Sequence, residues 1–279
     1  MLKQAITAPV ASSSRLSRSL EDFPQSRKDR IHQSVCRWCY PKLSIDELCV
    51  FAKQLGLKGI DLLDPPEYEI PRKYGLICTM GRAGAGSIKQ AFNRRENHAS
   101  IEAGLRTNLP LAAKASVPNV ISFSGNREGL SDEEGAKNTI IGLNRVKHIV
   151  EDHGITLCLE LLNSKVTHKD YMADTTEWGV RVMQEVNSPH IKLLYDIYHM
   201  QIMEGDLIET ITANIRWLGH FHTGGVPGRH ELNDQQEAQW DAVMRAIAAT
   251  PYQGYVAHEF LPTSDPFTSL LQAVQRCDV

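Results

Sequence analysis

Eight short apolar runs, each followed by a stretch with helical periodicity, constrain the fold of this 279-residue chain more than any other feature. The runs are bounded by Gly, Pro, Asn or charged residues, and they have the length of strands buried on both faces of a parallel sheet. The alternation of strand and helix predicts the α/β class. The eight predicted strands are Ile31–Cys36, Gly59–Leu63, Leu76–Met80, Asn119–Ser124, Thr156–Leu162, Ile191–Ile197, Trp217–Thr223 and Tyr255–Phe260.

Three of the intervening segments begin with residues typical of a capping box. They are Ser44–Glu47, Ser131–Glu134 and Asp174–Glu177, and each precedes an apolar stripe with helical spacing. In this motif the first side chain accepts from a backbone N–H three positions on, while the Glu reaches back to the first residue. Eight strand–helix units in one chain of this length favour a single (β/α)8 TIM barrel over an open doubly wound sheet.

The barrel is assigned to residues 31–279, and residues 1–30 differ from it in composition. Before Glu21 there is no acidic residue, and several serines lie around Arg15 and Arg18. This composition resembles a transit peptide, although its apolar stretch is too weak for a secretory signal. We favour a flexible N-terminal arm before one barrel domain.

Charge and cysteine content narrow the classes of function. The chain has 30 Lys and Arg against 33 Asp and Glu, which argues against binding to nucleic acid, and no apolar run approaches the ~18–20 residues of a membrane span. Cys36-Arg-Trp-Cys39 suits a redox pair or half of a zinc site, but no second pair completes a zinc set, so buried reduced thiols are favoured. We expect a cytoplasmic protein that binds neither nucleic acid nor membranes.

Each of the last four predicted strands finishes with a residue that can bind a metal. These residues are Glu160, Asp196, His222 and Glu259, separated by 36, 26 and 37 residues. Because the carboxyl ends of barrel strands converge, all four can face one point. Taken singly, each is as well explained by a structural ion pair or a core His. Together, three carboxylates and an imidazole predict a divalent metal site suited to Mg²⁺ or Mn²⁺, with Co²⁺ or Zn²⁺ as alternatives.

Two segments carry a resemblance to a known family. Tyr195–Gly205 and Gly219–Glu231 closely resemble the corresponding segments of bacterial hydroxypyruvate isomerases, and the similarity extends from about Ile31 to the C-terminus. These enzymes belong to the xylose isomerase-like TIM barrels, together with ketose 3-epimerases, inosose dehydratases and endonuclease IV. The pattern departs at His222, where the isomerases have Gln and the 3-epimerases have His. The loop Val226–His230 is similar to that of the isomerases.

The resemblance implies proton transfer between adjacent carbons of a hydroxycarbonyl compound, assisted by the metal. Glu160 and Glu259 would be the catalytic acid and base, in an order that the sequence does not assign. Arg229 is a candidate clamp for a substrate carboxylate, and His199 a candidate donor to a substrate oxygen. Asn163, His220 and Trp38 are candidates for supporting roles: the first two for orienting ligands and Trp38 for walling the pocket.

Three functions follow from these observations. The first is an isomerase of a small hydroxycarbonyl acid, with hydroxypyruvate and tartronate semialdehyde as the lead pair. The second is a ketose 3-epimerase or inosose-type enzyme, which His222 favours. The third is a barrel that binds a sugar without chemistry. All three predict a small-molecule partner, and none excludes a homo-oligomer.

Overall fold

The computed structural model describes residues 28–279, and in them eight parallel strands close into a barrel in chain order. Neighbours in sequence pair throughout, and β1 also pairs with β8, which closes the ring. All eight predicted strands are present, with ends that shift by two residues at most. The strands are β1 His32–Cys36, β2 Gly59–Leu63, β3 Ile77–Arg82, β4 Asn119–Ser122, β5 Thr156–Leu161, β6 Ile191–Asp196, β7 Leu218–Thr223 and β8 Tyr255–His258.

Helices follow seven of the eight strands. After β2 the chain forms two short 3₁₀ turns, Pro65–Glu67 and Ile70–Tyr74, where the sequence analysis expected a helix. Pro65, Pro66 and Pro71 account for this, because proline cannot donate within a helix and clashes with its preceding turn. The α-helices are α1 Ile45–Gln54, α2 His98–Lys114, α3 Asp132–His153, α4 Thr176–Val186, α5 Ile197–Met203, α6 Leu207–Asn214, α7 Trp240–Ala249 and α8 Pro266–Arg276.

The predicted helix starts hold for α1 and α3. Ser44 and Glu47 form the full reciprocal capping box, and the Ser131 side chain accepts from Glu134 N. The third prediction was wrong by one residue: α4 is capped by the side chain of Thr175.

The reason for this shift is that the Asp174 carboxylate is already engaged. It accepts hydrogen bonds from Arg127 and Ser164, so it is not free to accept from the first turn of α4.

Part of the barrel interior is polar. Asp61 on β2 contacts His220 and His222 on β7, and these strands are not neighbours in the ring, so the contact crosses the interior. Ser34 and Thr79 bond to the same carboxylate from β1 and β3. Barrel interiors are more often filled by branched apolar residues. The polar layer therefore indicates that side chains at one end of the barrel are held in place by hydrogen bonds from the interior.

Residues 28–30, with which the described part of the chain begins, already contact the barrel. The backbone N–H groups of Lys28 and Asp29 donate to the Asp278 carboxylate, and Arg30 donates to the carbonyl of Ala248. The predicted flexible arm otherwise lies outside the described residues. From residue 28 onward, no helix is both long and apolar enough to cross a membrane.

All six cysteines are buried and free, as expected for reduced thiols. Burial raises the pKa of the Cys36 and Cys39 thiols well above the ordinary value. A reactive redox pair has a lowered thiol pKa. This C-x-x-C is therefore a pair of buried small side chains.

Candidate active site

The four predicted ligand residues converge at the carboxyl end of the barrel. Glu160 lies in β5, Asp196 ends β6, His222 lies in β7, and Glu259 directly follows β8. One ligand atom from each lies within 4.8 Å of the other three. All four side chains are buried, the most exposed being Glu160 at 5%. The strand order alone brings together residues that are up to 99 positions apart in the sequence.

The imidazole of His222 shows that this cluster fits a cation. Within residues 28–279 its Nδ1 atom has no hydrogen-bond partner, although Glu259 Oε2 lies 2.7 Å away and Glu160 Oε1 lies 3.4 Å away. A buried nitrogen that faces two carboxylates without a hydrogen bond has the position of a metal ligand. Three carboxylates with one imidazole make an oxygen-rich donor set that suits a hard divalent metal.

Protonation in the metal-free protein shows the same need for positive charge. Burial alone would lower the pKa of His222, but Glu259 and, more weakly, Cys36 and Asp61 raise it well above its ordinary value. Burial raises the pKa of Asp196 to about 7, although Arg229 opposes the rise. The cluster therefore retains protons that a divalent cation would displace.

The two glutamates lie in different surroundings. Burial raises the pKa of Glu160, and the nearby His222 opposes that rise. Burial acts on Glu259 in the same direction, but Arg229 and His222 hold its pKa well below the ordinary value. In addition, Trp38 Nε1 donates to Glu259 Oε1 at 2.5 Å. An acid and a base in one site require such a difference between two carboxyl groups.

Arg229 reaches into the cluster from the loop after β7. Its Nη2 donates to Asp196 Oδ2 at 2.6 Å and to Glu259 Oε2, and its Nε donates to the Glu259 carbonyl at 3.0 Å. The guanidinium carbon lies 5.6 Å from the ring centroid of Trp38 and 5.0 Å from that of Tyr198. Aromatic faces attract this planar cation, so the side chain is held in place at the mouth of the site.

His199 lies beside Asp196 because of the local helix start. Asp196 ends β6 and caps α5, and its carboxylate accepts from His199 N at 3.3 Å. The buried imidazole has its Nε2 atom 3.6 Å from Asp196 Oδ2 and 2.8 Å from Arg229 Nη1. The Asp-x-x-His spacing thus turns both side chains toward one point.

Asn163 holds the ring of His199 by contacts with its Nδ1 atom. The Asn163 Oδ1 atom accepts from the backbone of Val166 and Thr167, so its amide nitrogen faces His199 Nδ1 at 2.6 Å. The backbone N–H of Asn163 also points to Nδ1, at 3.2 Å. Arg229 Nη1, which can only donate, lies 2.8 Å from Nε2, so donors face both ring nitrogens of His199. Burial and Arg229 lower the pKa of His199 well below its ordinary value, so the imidazole is neutral.

Sequence reasoning missed Asp61, which is completely buried beneath the cluster. Its Oδ2 lies 2.6 Å from His220 Nε2 and 3.3 Å from His222 Nε2. Burial raises the pKa of this carboxyl, but the larger opposing effect of His220 and His222 holds the pKa below its ordinary value, so Asp61 is charged. An acid in the otherwise apolar β2 was the available signal, and it is the same signal that identified Glu160.

The group formed by Asp61, His220 and His222 is also compact enough to hold a metal. Asp61 already hydrogen-bonds to both histidines, however, and the two histidine rings are perpendicular, with centroids 5.3 Å apart. We therefore interpret this group as support for the four-ligand cluster. His220, a candidate for orienting ligands, contacts the cluster through its ring contact with His222 and through its hydrogen bond to Asp61.

Comparison with known proteins identifies the family of this chain. The family model for xylose isomerase-like TIM barrels matches residues 50–276. A human protein named "Putative hydroxypyruvate isomerase" is 24% identical over 238 residues, which cover 84% of this chain and 80% of that protein. The 2-oxo-tetronate isomerase of Pectobacterium atrosepticum is 24% identical over 224 residues, covering 76% of this chain and 84% of the relative.

Among solved structures, the D-psicose 3-epimerase of Clostridium cellulolyticum, crystallised with D-tagatose, superposes with a TM-score of 0.68. The two chains are 17% identical, and the match covers 89% of this chain and 96% of the epimerase. At this identity the likeness establishes the shared barrel fold and nothing finer.

Proposed function

This chain belongs to the xylose isomerase-like TIM barrel family, and from that premise we propose that it is a divalent-metal-dependent isomerase of a small hydroxycarbonyl acid. Hydroxypyruvate and tartronate semialdehyde are the lead pair. That it is an enzyme of the isomerase kind agrees with the names of its relatives. Both relatives are named for the isomerisation of small oxo acids, which favours a substrate with a carboxylate.

The observation that carries the proposal is the geometry around His222 Nδ1. This unpartnered nitrogen faces Glu160 and Glu259, and Arg229 and His199 approach the same cluster from one side. A site of this kind provides both ligands for a cation and donors for substrate oxygens. A barrel that only bound sugars would have no need for two glutamates in contrasting environments.

Glu160, Asp196, His222 and Glu259 would hold the metal. When bound, a divalent metal supplies Lewis-acid stabilisation of the negative charge that develops on adjacent substrate oxygens. Glu160 and Glu259 move the proton between the two carbons, one accepting it while the other donates. The strand ends on which they lie flank the site, so one carboxyl group can serve each carbon.

Arg229 and His199 orient the substrate. The Arg229 guanidinium, which bonds to Asp196 and Glu259 in this structure, would match a substrate carboxylate in a bidentate pair once a cation holds those two carboxylates. The neutral imidazole of His199 lies beside the guanidinium, with its Nε2 2.8 Å from Arg229 Nη1, and would contact a substrate oxygen bound there. Trp38, 38% exposed, and the half-buried His168, whose ring meets that of His199 edge to face, form part of the wall and limit access of water.

A ketose 3-epimerase or inosose-type enzyme is the second candidate, and the observation that favours it is His222. This residue is a fully buried imidazole at a position where the isomerases that the sequence resembles carry an amide. Both candidates use the same metal and the same pair of glutamates, and they differ in whether the substrate carries a carboxylate. The substrate is in either case a small molecule, in keeping with a cytoplasmic enzyme, and a homo-oligomer stays a prediction.

Exchange of substrate hydrogen with D₂O tests the proposal. The Mn²⁺-loaded protein is incubated with hydroxypyruvate, tartronate semialdehyde and a panel of ketoses, and C–H loss is followed by NMR. We expect exchange with the two acids, abolished by EDTA and restored by Mn²⁺. Faster exchange with a ketose would identify an epimerase. Binding of Mn²⁺ without exchange of any substrate would contradict an isomerase and favour the non-catalytic barrel.

A further inference from the structure

We infer that Asp61 is a positioning residue for the metal ligand His222. It keeps a proton on Nε2 of the imidazole and thereby directs the Nδ1 lone pair toward the cluster. The inference rests on the proposed function, because it requires a metal at the four ligands. Asp61 itself lies too deep to touch that metal or the substrate: it is fully buried, and its contacts are with side chains of β1, β3 and β7.

The hydrogen bonds of Asp61 determine where the protons are. Its Oδ1 accepts from Ser34 Oγ at 2.8 Å and from Thr79 Oγ1, and its Oδ2 faces Nε2 of both His220 and His222. An ionised carboxylate only accepts, with room for about four donors. Each of the four neighbours must therefore donate, and both histidines carry their proton on Nε2.

His220 is held in the same tautomer from its other side. Asn119 Nδ2 lies 3.4 Å from His220 Nδ1 and also donates to the carbonyl of Thr79 at 3.2 Å. An amide NH₂ group can only donate, so His220 Nδ1 accepts and Nε2 donates to Asp61. The Asp61 carboxylate is thus held by four donors from the three strands β1, β3 and β7, and its Oδ2 is directed at both histidines.

The tautomer of His222 decides whether the ring can be a ligand. Once a cation has displaced the second proton of His222, the remaining proton lies on Nε2, and the Nδ1 atom that faces Glu160 and Glu259 has a free lone pair. With the proton on Nδ1, the ring would present an N–H to the metal position and could not coordinate. Residues that orient ligating histidines in this way typically contribute about 10–100-fold to metal affinity.

The test compares two Asp61 variants with a matched control. Asp61→Asn keeps the shape but has one accepting oxygen where four donors need two, and Asp61→Leu removes every acceptor. The control is Thr79→Val, which is of nearly equal shape and deletes a hydrogen bond to the same carboxylate without touching His222. For each protein we would measure the Kd for Mn²⁺ by calorimetry, the Tm without metal, and the visible spectrum of the Co²⁺ form.

We expect both Asp61 variants to raise the Kd for Mn²⁺ by about 10–100-fold and to shift the Co²⁺ bands. Thr79→Val should lower Tm while leaving the Kd within threefold and the spectrum unchanged. Folded Asp61 variants with an unchanged Kd would overturn the inference, as would a loss of affinity in Thr79→Val equal to that in Asp61→Asn. If Asp61→Leu does not fold, Asp61→Asn decides.

The wild-type protein separates this inference from the proposed function. Wild type that binds Mn²⁺ but exchanges no substrate hydrogen overturns the isomerase and leaves the role of Asp61 standing. Wild type that binds Mn²⁺ and catalyses exchange, with Asp61 variants that bind equally well, overturns only the role of Asp61. Wild type that binds no Mn²⁺ overturns both.

Discussion

The two halves of the barrel contribute differently to the site. Strands β5 to β8 and the loops after them carry every residue proposed to touch metal or substrate directly, among them Glu160, His199 and Arg229. Strands β1 to β4 and their loops carry residues that hold these in place, such as Asp61 and Trp38. In the second half three carboxylates crowd together around His222, whereas in the first half the donors around Asp61 match its acceptors.

This contrast shows that buried charged groups inside a barrel can be of two kinds. Around Asp61 a buried charge is satisfied by the protein itself, so the first half needs nothing from solution. Around Glu160 and Asp196 burial raises the pKa of both carboxyl groups, which is the electrostatic reason for the cation that we propose in the second half. Variants in the second half should therefore change chemistry, and variants in the first half should change stability or ligand geometry.

The largest expected effect comes from removing either catalytic carboxylate. Glu160→Gln and Glu259→Gln should each lower kcat for exchange by about 10²–10⁴-fold, the usual contribution of a general acid or base. Steady-state kinetics on the Mn²⁺-loaded proteins measure this. The matched control is Glu204→Gln, whose carboxylate bonds to Thr176 outside the cluster and should leave kcat unchanged. Equal loss of kcat in all three variants would contradict the assignment.

Substitution of the clamp should affect substrate affinity next. Arg229→Lys loses the bidentate fork, and a charge-assisted hydrogen bond contributes about 1.5–3 kcal/mol, so KM for a carboxylate substrate should rise by roughly 10–150-fold. Competition assays with a neutral ketose should show a much smaller change. The Kd for Mn²⁺ is measured alongside, because Arg229 also bonds to Asp196. An equal loss for acid and ketose would show that Arg229 does not recognise a carboxylate.

Acid should weaken metal binding by competition with a proton. Asp196 has a pKa of about 7 in the metal-free protein, above its unfolded value, so it is protonated below pH 7 and must lose that proton to bind Mn²⁺. Because His222 also retains a proton well above its ordinary pKa, the Kd for Mn²⁺ should still fall with rising pH above 7, and it should rise more steeply below 7, by at least about tenfold per unit. Titration by calorimetry from pH 5.5 to 8.5, with proton release measured in two buffers, checks the sign. A Kd independent of pH over this range would contradict it.

The smallest effect should come from a substitution in the first half of the barrel, strands β1 to β4. Ser34→Ala removes one hydrogen bond to the charged Asp61, so the free energy of unfolding should fall by about 1.5–3 kcal/mol. Addition of Mn²⁺ at 100 times Kd should stabilise wild type and variant alike by about 2.7 kcal/mol. Urea unfolding with Mn²⁺ or with EDTA measures both quantities. If Ser34→Ala loses the Mn²⁺ increment, the division between the two halves is wrong.

The sequence was sufficient for features that depend on local pattern. The short apolar runs, typical of strands buried on both faces, predicted all eight strands. The polar residues at strand ends predicted the cluster of Glu160, Asp196, His222 and Glu259. It failed where a distant residue competes for a local group. Asp174 does not cap α4 because Arg127, 47 residues earlier, binds its carboxylate.

The role of Asp61 could not be predicted because its partners are set by closure of the ring. Asp61 and His222 are 161 positions apart and lie on strands that are not neighbours. Their contact requires the register of every strand between them. The contact of Trp38 with Glu259 has the same origin, since β1 and β8 meet only when the barrel closes.

Because β8 is the last strand to be synthesised and pairs with β1, the site is completed only at the end of synthesis. Glu259 follows the strand that closes the ring, so a nascent chain extended only through β7 has three ligands and no finished barrel. Affinity for the metal should then arise at the same moment as the last strand docks. A cell could not load this protein early, and the ion would reach only chains that have completed their fold.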